Sequence, residues 1–181
     1  MLERVIEGVK QSKRVKHVVV AAPHDIPCSV PLFIGDEFDV VKRYTDCCNF
    51  FEADIVVRIT SDCPLIQANL VDDCVYALVD GNYDHVAAIE PYYPDGLDVE
   101  VFTKEALNRT NEKAVGDERE HVGWYLRRNC PNIHIMETGQ YGRGKISVDS
   151  LEDLERVRKI WTGEIRPYYW WEAREVSGAS S

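Results

Sequence analysis

The chain has 181 residues, 45% hydrophobic and 29% charged, which is the balance of a globular domain and excludes disorder throughout. Lys and Arg number 21 against 31 Asp and Glu, and the net charge of −10 disfavours nucleic acid and anionic membrane surfaces as partners. The longest unbroken apolar run, Cys74–Val79, is far too short to span a membrane, and Met1–Gly8 lacks the apolar core of a secretory signal. The expected location is cytoplasmic.

In chain order, Leu2, Val5, Ile6 and Val9 recur at helical spacing from the first residue onward. Val18–Ala22 reads as a buried strand and Pro23–Pro31 as a loop. A short strand follows at Leu32–Ile34, then a helix over about Glu37–Phe51. Asp54–Thr60 carries the strongest strand pattern and runs into the turn Ser61-Asp62-Cys63-Pro64. A helix over Gln67–Asp80 buries Leu70, Val71, Cys74, Val75 and Leu78, and Gly81-Asn82 stops it. His85–Ile89 gives a further strand, and Asp95–Phe102 an edge or antiparallel one. Thr103–Asn111 and Asp117–Arg128 read as helices, and Ile133–Met136 and Lys145–Val148 as extended. Leu151–Trp161 closes the pattern as a helix, with Ser150 and Asp153 spaced as a capping box. The alternation predicts an α/β fold with a mainly parallel sheet, organised as a domain over residues 1–162 and an aromatic-rich tail over 163–181. Within the tail, Tyr168-Tyr169-Trp170-Trp171 either covers part of the core or meets a partner.

The six cysteines show no C-x-x-C spacing and the five histidines no H-x-x-x-H spacing, so free thiols and no zinc site are expected. In open α/β sheets ligands gather beyond the carboxyl ends of strands. Asp62 and Asp149 each follow a predicted strand. Such a pair either holds a hard divalent cation such as Mg²⁺ or merely caps the next helices. Arg58 shares a strand face with Thr60 and must find an anion, a phosphate or a neighbouring carboxylate. Asp98 and Glu100 share a face of an extended segment that either holds sugar hydroxyls or is simply solvated. Glu120 and His121 fall in Asp117-Glu118-Arg119-Glu120-His121 at a predicted helix start.

Arg58–Ile66, R-I-T-S-D-C-P-L-I, resembles the R-I-T-G-D-C-P-L-I segment of bacterial cytidylyltransferases of the spore coat polysaccharide biosynthesis type. These are relatives of the acylneuraminate and 3-deoxy-manno-octulosonate cytidylyltransferases. Met1–Arg14 resembles the helix after that family's nucleotide loop, and Gly35–Tyr44 its G-S-x-x-D-V-L-x-R-Y segment. Tyr93–Phe102 and Glu118–Val122 are close to further motifs, and Ser147–Arg156 resembles V-D-T-P-E-D-L-E-R. The resemblance covers nearly all of residues 1–160.

The resemblance implies a nucleotide-diphosphosugar transferase fold, a Rossmann-like, GT-A-like three-layer sandwich. The implied reaction joins CTP to a sugar through attack of a sugar hydroxyl on the α-phosphorus, for surface polysaccharide synthesis. It makes Asp62 and Asp149 the Mg²⁺ ligands and places Arg58 beside the reacting groups. Asp39, Arg43 and Thr60 would belong to the nucleotide pocket, and Asp98, Glu100, Glu120 and His121 would face the acceptor sugar. Relatives pair as dimers, so a homodimer through the region of Tyr92–Arg128 is expected. The chain departs from the family in three places. No segment matches the first strand and the loop of type A-R-x-x-S-x-R-L-P-G-K, Ala21–Pro31 is short, and Ser61 replaces a glycine. The sheet is therefore expected to lack its first strand. Two readings follow: synthesis of a CMP-sugar, or a catalytically impaired homologue serving as a sugar-binding or assembly subunit.

Overall fold

In the computed structural model, residues 1–138 and 144–161 are described. The apolar stripe of the first residues folds as helix α1, Leu2–Val9, which buries Val5, Ile6 and Val9. Strand β1 (Val20–Ala22) and strand β2 (Leu32–Ile34) pair in parallel, and helix α2 (Val40–Phe50) follows. Strand β3 (Ile55–Arg58), helix α3 (Ala68–Asp80), strand β4 (His85–Ala88) and strand β5 (Val99–Thr103) come next. Helix α4 (Lys104–Lys113), helix α5 (Trp124–Asn129), strand β6 (Ile133–Ile135) and helix α6 (Leu151–Ile160) complete the described chain.

The strands run mainly in one direction, as expected, with a single reversed strand in the larger sheet. β3, β5, β4 and β6 form one sheet in that order, with β5 antiparallel to both of its neighbours and only β4 and β6 parallel. Of the two readings of Asp95–Phe102 the antiparallel one holds and the edge one does not: β5 lies between β3 and β4, and its residues from Val99 to Phe102 are buried. A strand covered on both faces loses the apolar–polar alternation that reveals an edge. Val99 and Val101 pack with Leu70, Val71 and Cys74 of α3 and with Val5 and Val9 of α1, whereas Phe102 packs with Val41 of α2, Leu107 of α4 and Leu126 of α5. The result is an α/β/α sandwich of the Rossmann-like kind.

Two further expectations change. Asp117–Arg128 is not one helix: Gly116–Arg119 is a 3-10 turn, and α5 starts only at Trp124. The side chain of Arg119 explains the break, since it reaches back to the carbonyls of Asn111 (2.9 Å) and Ala114 (3.2 Å). Residues 145–148 form no named strand, only a bridge between Asp95 and Lys145, although Ile146, Ser147 and Val148 are buried. Their partners change along the segment. The amides of Ile146 and Ser147 donate to the Asp95 carbonyl at 2.7 and 3.0 Å, and that of Val148 donates to the Asp62 carbonyl at 2.9 Å.

The sheet expected to lack a strand is divided in two. Among the described residues β1 pairs only with β2, and β3 pairs only with β5. Each leaves one backbone edge unpaired. A cleft of about 1030 Å³ lies between them, lined by residues 14–24 and 52–61 and by Leu2, Val5, Ile6 and Val9 of α1. Among the described residues no helix is long and apolar enough to cross a membrane. The aromatic block over 168–171 and the boundary after residue 162 lie outside the described residues.

The capping box forms as its spacing predicts: Ser150 Oγ accepts from the Asp153 amide, and Asp153 Oδ2 accepts from the Ser150 amide, both at 3.2 Å. Ser150→Ala should cost about 1 kcal/mol, read as a lower midpoint in urea denaturation. An unchanged midpoint would show that water serves the freed amide equally well.

Candidate functional site

The turn after β3 and the segment before α6 meet through the Val148 amide and the Asp62 carbonyl. This single bond sets Asp62 beside Val148, one position from Asp149. Asp62 is half-buried, and Asp149 is exposed. The Asp149 carboxylate meets Lys145 Nζ at 2.7 Å and Ser147 Oγ at 3.4 Å. A cation thus already sits at this carboxylate. No group of three or more His, Cys, Asp or Glu side chains able to hold a metal occurs among the described residues. Asp62 and Asp149 offer oxygen donors only, a chemistry that suits Mg²⁺, which keeps waters and takes phosphate oxygens, better than zinc.

Close by, Asp98 accepts the Gly96 amide at 2.9 Å. Burial pushes its carboxyl above the ordinary range, and the charges of Asp95 and Glu100 push in the same direction. Cys63, next to Asp62, is buried, and burial drives its thiol up to about 12. Burial of this kind keeps a thiol protonated at neutral pH and makes it a poor nucleophile. Asp95, which the sequence pattern did not single out, anchors the whole segment: its carboxylate also accepts Ser147 Oγ at 2.9 Å.

Arg58, Thr60, Arg43, Glu120 and His121 all line the cleft. Arg58 projects from β3 and donates through Nη1 to Glu100 Oε2 at 3.0 Å, while its buried Nε has no hydrogen-bond partner. Thr60 Oγ1 lies 3.2 Å from Cys63 Sγ. Arg43 closes the β2–α2 turn by donating to the Asp36 carbonyl at 2.6 Å, packed so tightly on Gly35 that a Cβ there would lie 2.7 Å from Arg43 Cγ. Its Nε is likewise buried and unpaired. His121 stacks on Trp124 with ring centres 4.0 Å apart.

Asp39 and Glu100 are placed differently from the others. Asp39 is the N-cap of α2, accepting the Lys42 amide at 2.9 Å, and its other oxygen accepts Arg119 Nε at 2.7 Å. It does not line the cleft. Glu100 is buried behind Arg58, opposite it in the β3–β5 register, and is held by Arg58 and Arg127, with His85 Nε2 3.5 Å away. Burial alone would raise its carboxyl, but these neighbours win and hold it down to about 2. Both of its oxygens face cations, not the cleft.

Sequence reading missed Arg119, Arg127, His85 and Asp95. Arg119 and Arg127 stood in view as charges on predicted helix faces, with no pattern pointing to carboxylates so distant in the chain. His85 at a strand start carried one signal, its place in an otherwise apolar segment; it is fully buried and stacks on Phe102 at 4.7 Å.

An α/β/α sandwich of this kind is shared with known proteins. Residues 1–161 match the cytidylyltransferase family, and the chain belongs to it. It is similar to the uncharacterized protein MJ1063 of Methanocaldococcus jannaschii, 31% identical over 172 residues, 86% of this chain and 70% of that protein. It is also similar to the spore coat polysaccharide biosynthesis protein SpsF of Bacillus subtilis, 23% identical over 145 residues, which cover 76% of this chain and 60% of SpsF. A cytidylyltransferase structure from Leptospira borgpetersenii superposes with a TM-score of 0.85 at 24% identity, over 98% of this chain and 82% of that one. A CMP:2-keto-3-deoxy-manno-octonic acid synthetase complexed with CTP gives a TM-score of 0.65 at 16% identity, over 88% and 86% respectively. These two likenesses bear on the fold.

Proposed function

We propose that the protein binds CTP with a sugar and forms a CMP-sugar and pyrophosphate, and that Asp62 and Asp149 hold Mg²⁺ during this transfer. The observation that supports the reading is the Val148–Asp62 hydrogen bond, which sets the backbone of Asp62 beside that of Val148, the residue before Asp149, with Ser61 next to Asp62 lining the cleft. The matching family and the CTP complex of a structural neighbour support CTP as the nucleotide. Bound there, the metal would supply charge neutralisation at the phosphates.

The remaining work falls to side chains. Arg58 and Arg43 line the cleft, and a guanidinium is the group suited to phosphate oxygens. The Glu100 carboxylate positions Arg58 and does not bind the sugar itself. In the transfer, the sugar hydroxyl oxygen bonds to the α-phosphorus, the bond from that phosphorus to the β-phosphate oxygen breaks, and pyrophosphate leaves. Asp98, its carboxyl raised by burial, is the group suited to take the hydroxyl proton.

Calorimetric titration with CTP and MgCl₂ tests the reading, with Asp62→Asn as the comparison. Metal-dependent binding weakened about tenfold or more in the variant is expected. A folded chain that binds no CTP, or one that binds it equally well without metal and after the Asp62→Asn change, overturns it. Sugar binding without CTP binding would favour the impaired-homologue reading.

A further inference from the structure

Asp153 does more than cap α6. Its side chain is buried, and Oδ2 accepts the amides of Asp149 and Ser150 at 3.1 and 3.2 Å and the Lys145 ammonium at 2.8 Å. Oδ1 accepts Arg156 Nη2 at 2.6 Å. The same Lys145 ammonium meets Asp149 Oδ2 at 2.7 Å. Lys145 is therefore gripped at both ends. Its backbone bridges to Asp95, whose carbonyl also takes the next two amides, and its Nζ joins two carboxylates. One of these is buried and keeps a second cation, Arg156, whereas the other is exposed. An ion pair open to water is worth little, so the Asp149 side of the bridge is the side that gives way.

We propose that Lys145 is a positioning residue for metal entry: its ammonium holds the Asp149 carboxylate, must be released before a divalent cation binds there, and then stays paired with Asp153. The proposal rests on the reading of Asp62 and Asp149 as Mg²⁺ ligands. Charge decides the consequence. Lys145 and Arg156 already offset the charges of Asp149 and Asp153. A bare dication thus competes with an ammonium for Asp149 and meets a weaker anion than two free carboxylates would offer. A dication carried by a nucleoside triphosphate brings anionic oxygens with it and depends less on that attraction. The lysine therefore disfavours the bare metal and selects the metal–nucleotide complex.

Binding of Mn²⁺ without nucleotide, read from loss of the free-ion electron paramagnetic resonance signal, tests this. Lys145→Met should bind Mn²⁺ on the order of fivefold tighter than the native chain, and Lys145→Arg, which keeps the charge, should stay within about twofold of it. Lys159→Met removes the same charge from the last turn of α6 and should leave the affinity unchanged. With CTP present, the difference between Lys145→Met and the native chain should narrow. Thermal melting reports whether each variant is folded, and Lys145→Gln replaces Lys145→Met if the latter is not. A Lys145→Met affinity within about twofold of native, or an equal gain in Lys159→Met, overturns the proposal. A gain that survives the addition of Asp149→Asn also overturns it, because the ammonium then acts elsewhere. If no chain binds Mn²⁺ with or without CTP, the ligand reading falls and the proposal with it. If CTP-dependent Mn²⁺ binding is lost on Asp62→Asn while Lys145→Met binds no tighter than native, the proposal alone falls.

Discussion

Replacing Glu100 with alanine should destabilise the protein by about 3–5 kcal/mol, the cost typical of leaving buried charges without their partner. Glu100 is 5% exposed, and Arg58 and Arg127 both lean on its carboxylate with only 19% and 23% of their side chains exposed. Removing the anion leaves two guanidiniums facing each other in a place that water barely reaches. Urea denaturation reads the effect directly, and a loss below about 1 kcal/mol would mean that solvent or Tyr44, whose ring lies 6.0 Å from Arg58, absorbs the charge. The same carboxylate gives an acid signature. Its folded-state value of about 2 lies below the ordinary 4.5, so its contribution is complete above about pH 4.5 and is lost as the pH falls toward 2. Stability of the native protein should decline across that window, and Glu100→Gln should flatten the decline by removing the titrating group.

Gly96→Val should cost about 3 kcal/mol and also disturb the candidate site. Gly96 has φ of +106°, a conformation side chains rarely adopt, and a Cβ there would lie 2.3 Å from the Ser147 amide nitrogen. The backbone cannot yield without breaking the bonds from Ile146 and Ser147 to the Asp95 carbonyl. Those bonds hold the segment that carries Asp149. Thermal melting should therefore fall, and CTP titration of any folded variant should show weaker binding than the native chain. Native-like melting with native-like binding would show that the segment is anchored by the Val148–Asp62 bond alone.

Local chemistry was legible wherever one element decided its own form. The stripe of Leu2, Val5, Ile6 and Val9, the run of Leu70 to Leu78 and the Ser150–Asp153 cap each reappear in the fold, because helical spacing and capping are written within a few residues. The place of β5 was not legible. Glu100 in its middle reads as a solvated position, and only the arrival of Arg58 and Arg127 from elsewhere makes its burial tolerable. The candidate site divides along the same line. Arg58, Thr60, Arg43, Glu120 and His121 meet at the cleft because the chain reaches it at the end of β3, in the first turns of α2 and just after the 3-10 turn. The role of Asp39 depends on an arginine 80 positions away, a separation no local pattern carries.

That arginine has a wider consequence. Arg119 ties Asp39 at the head of α2 to Asn111 and Ala114 at the tail of α4, through its Nε, Nη1 and Nη2 together. Glu120 and His121 come next in the chain, so the reach of both into the cleft is measured from this knot. The cleft inherits part of its shape from a carboxylate that never touches it. Ligand preference can thus drift through a change at Asp39 while every residue lining the cavity stays the same.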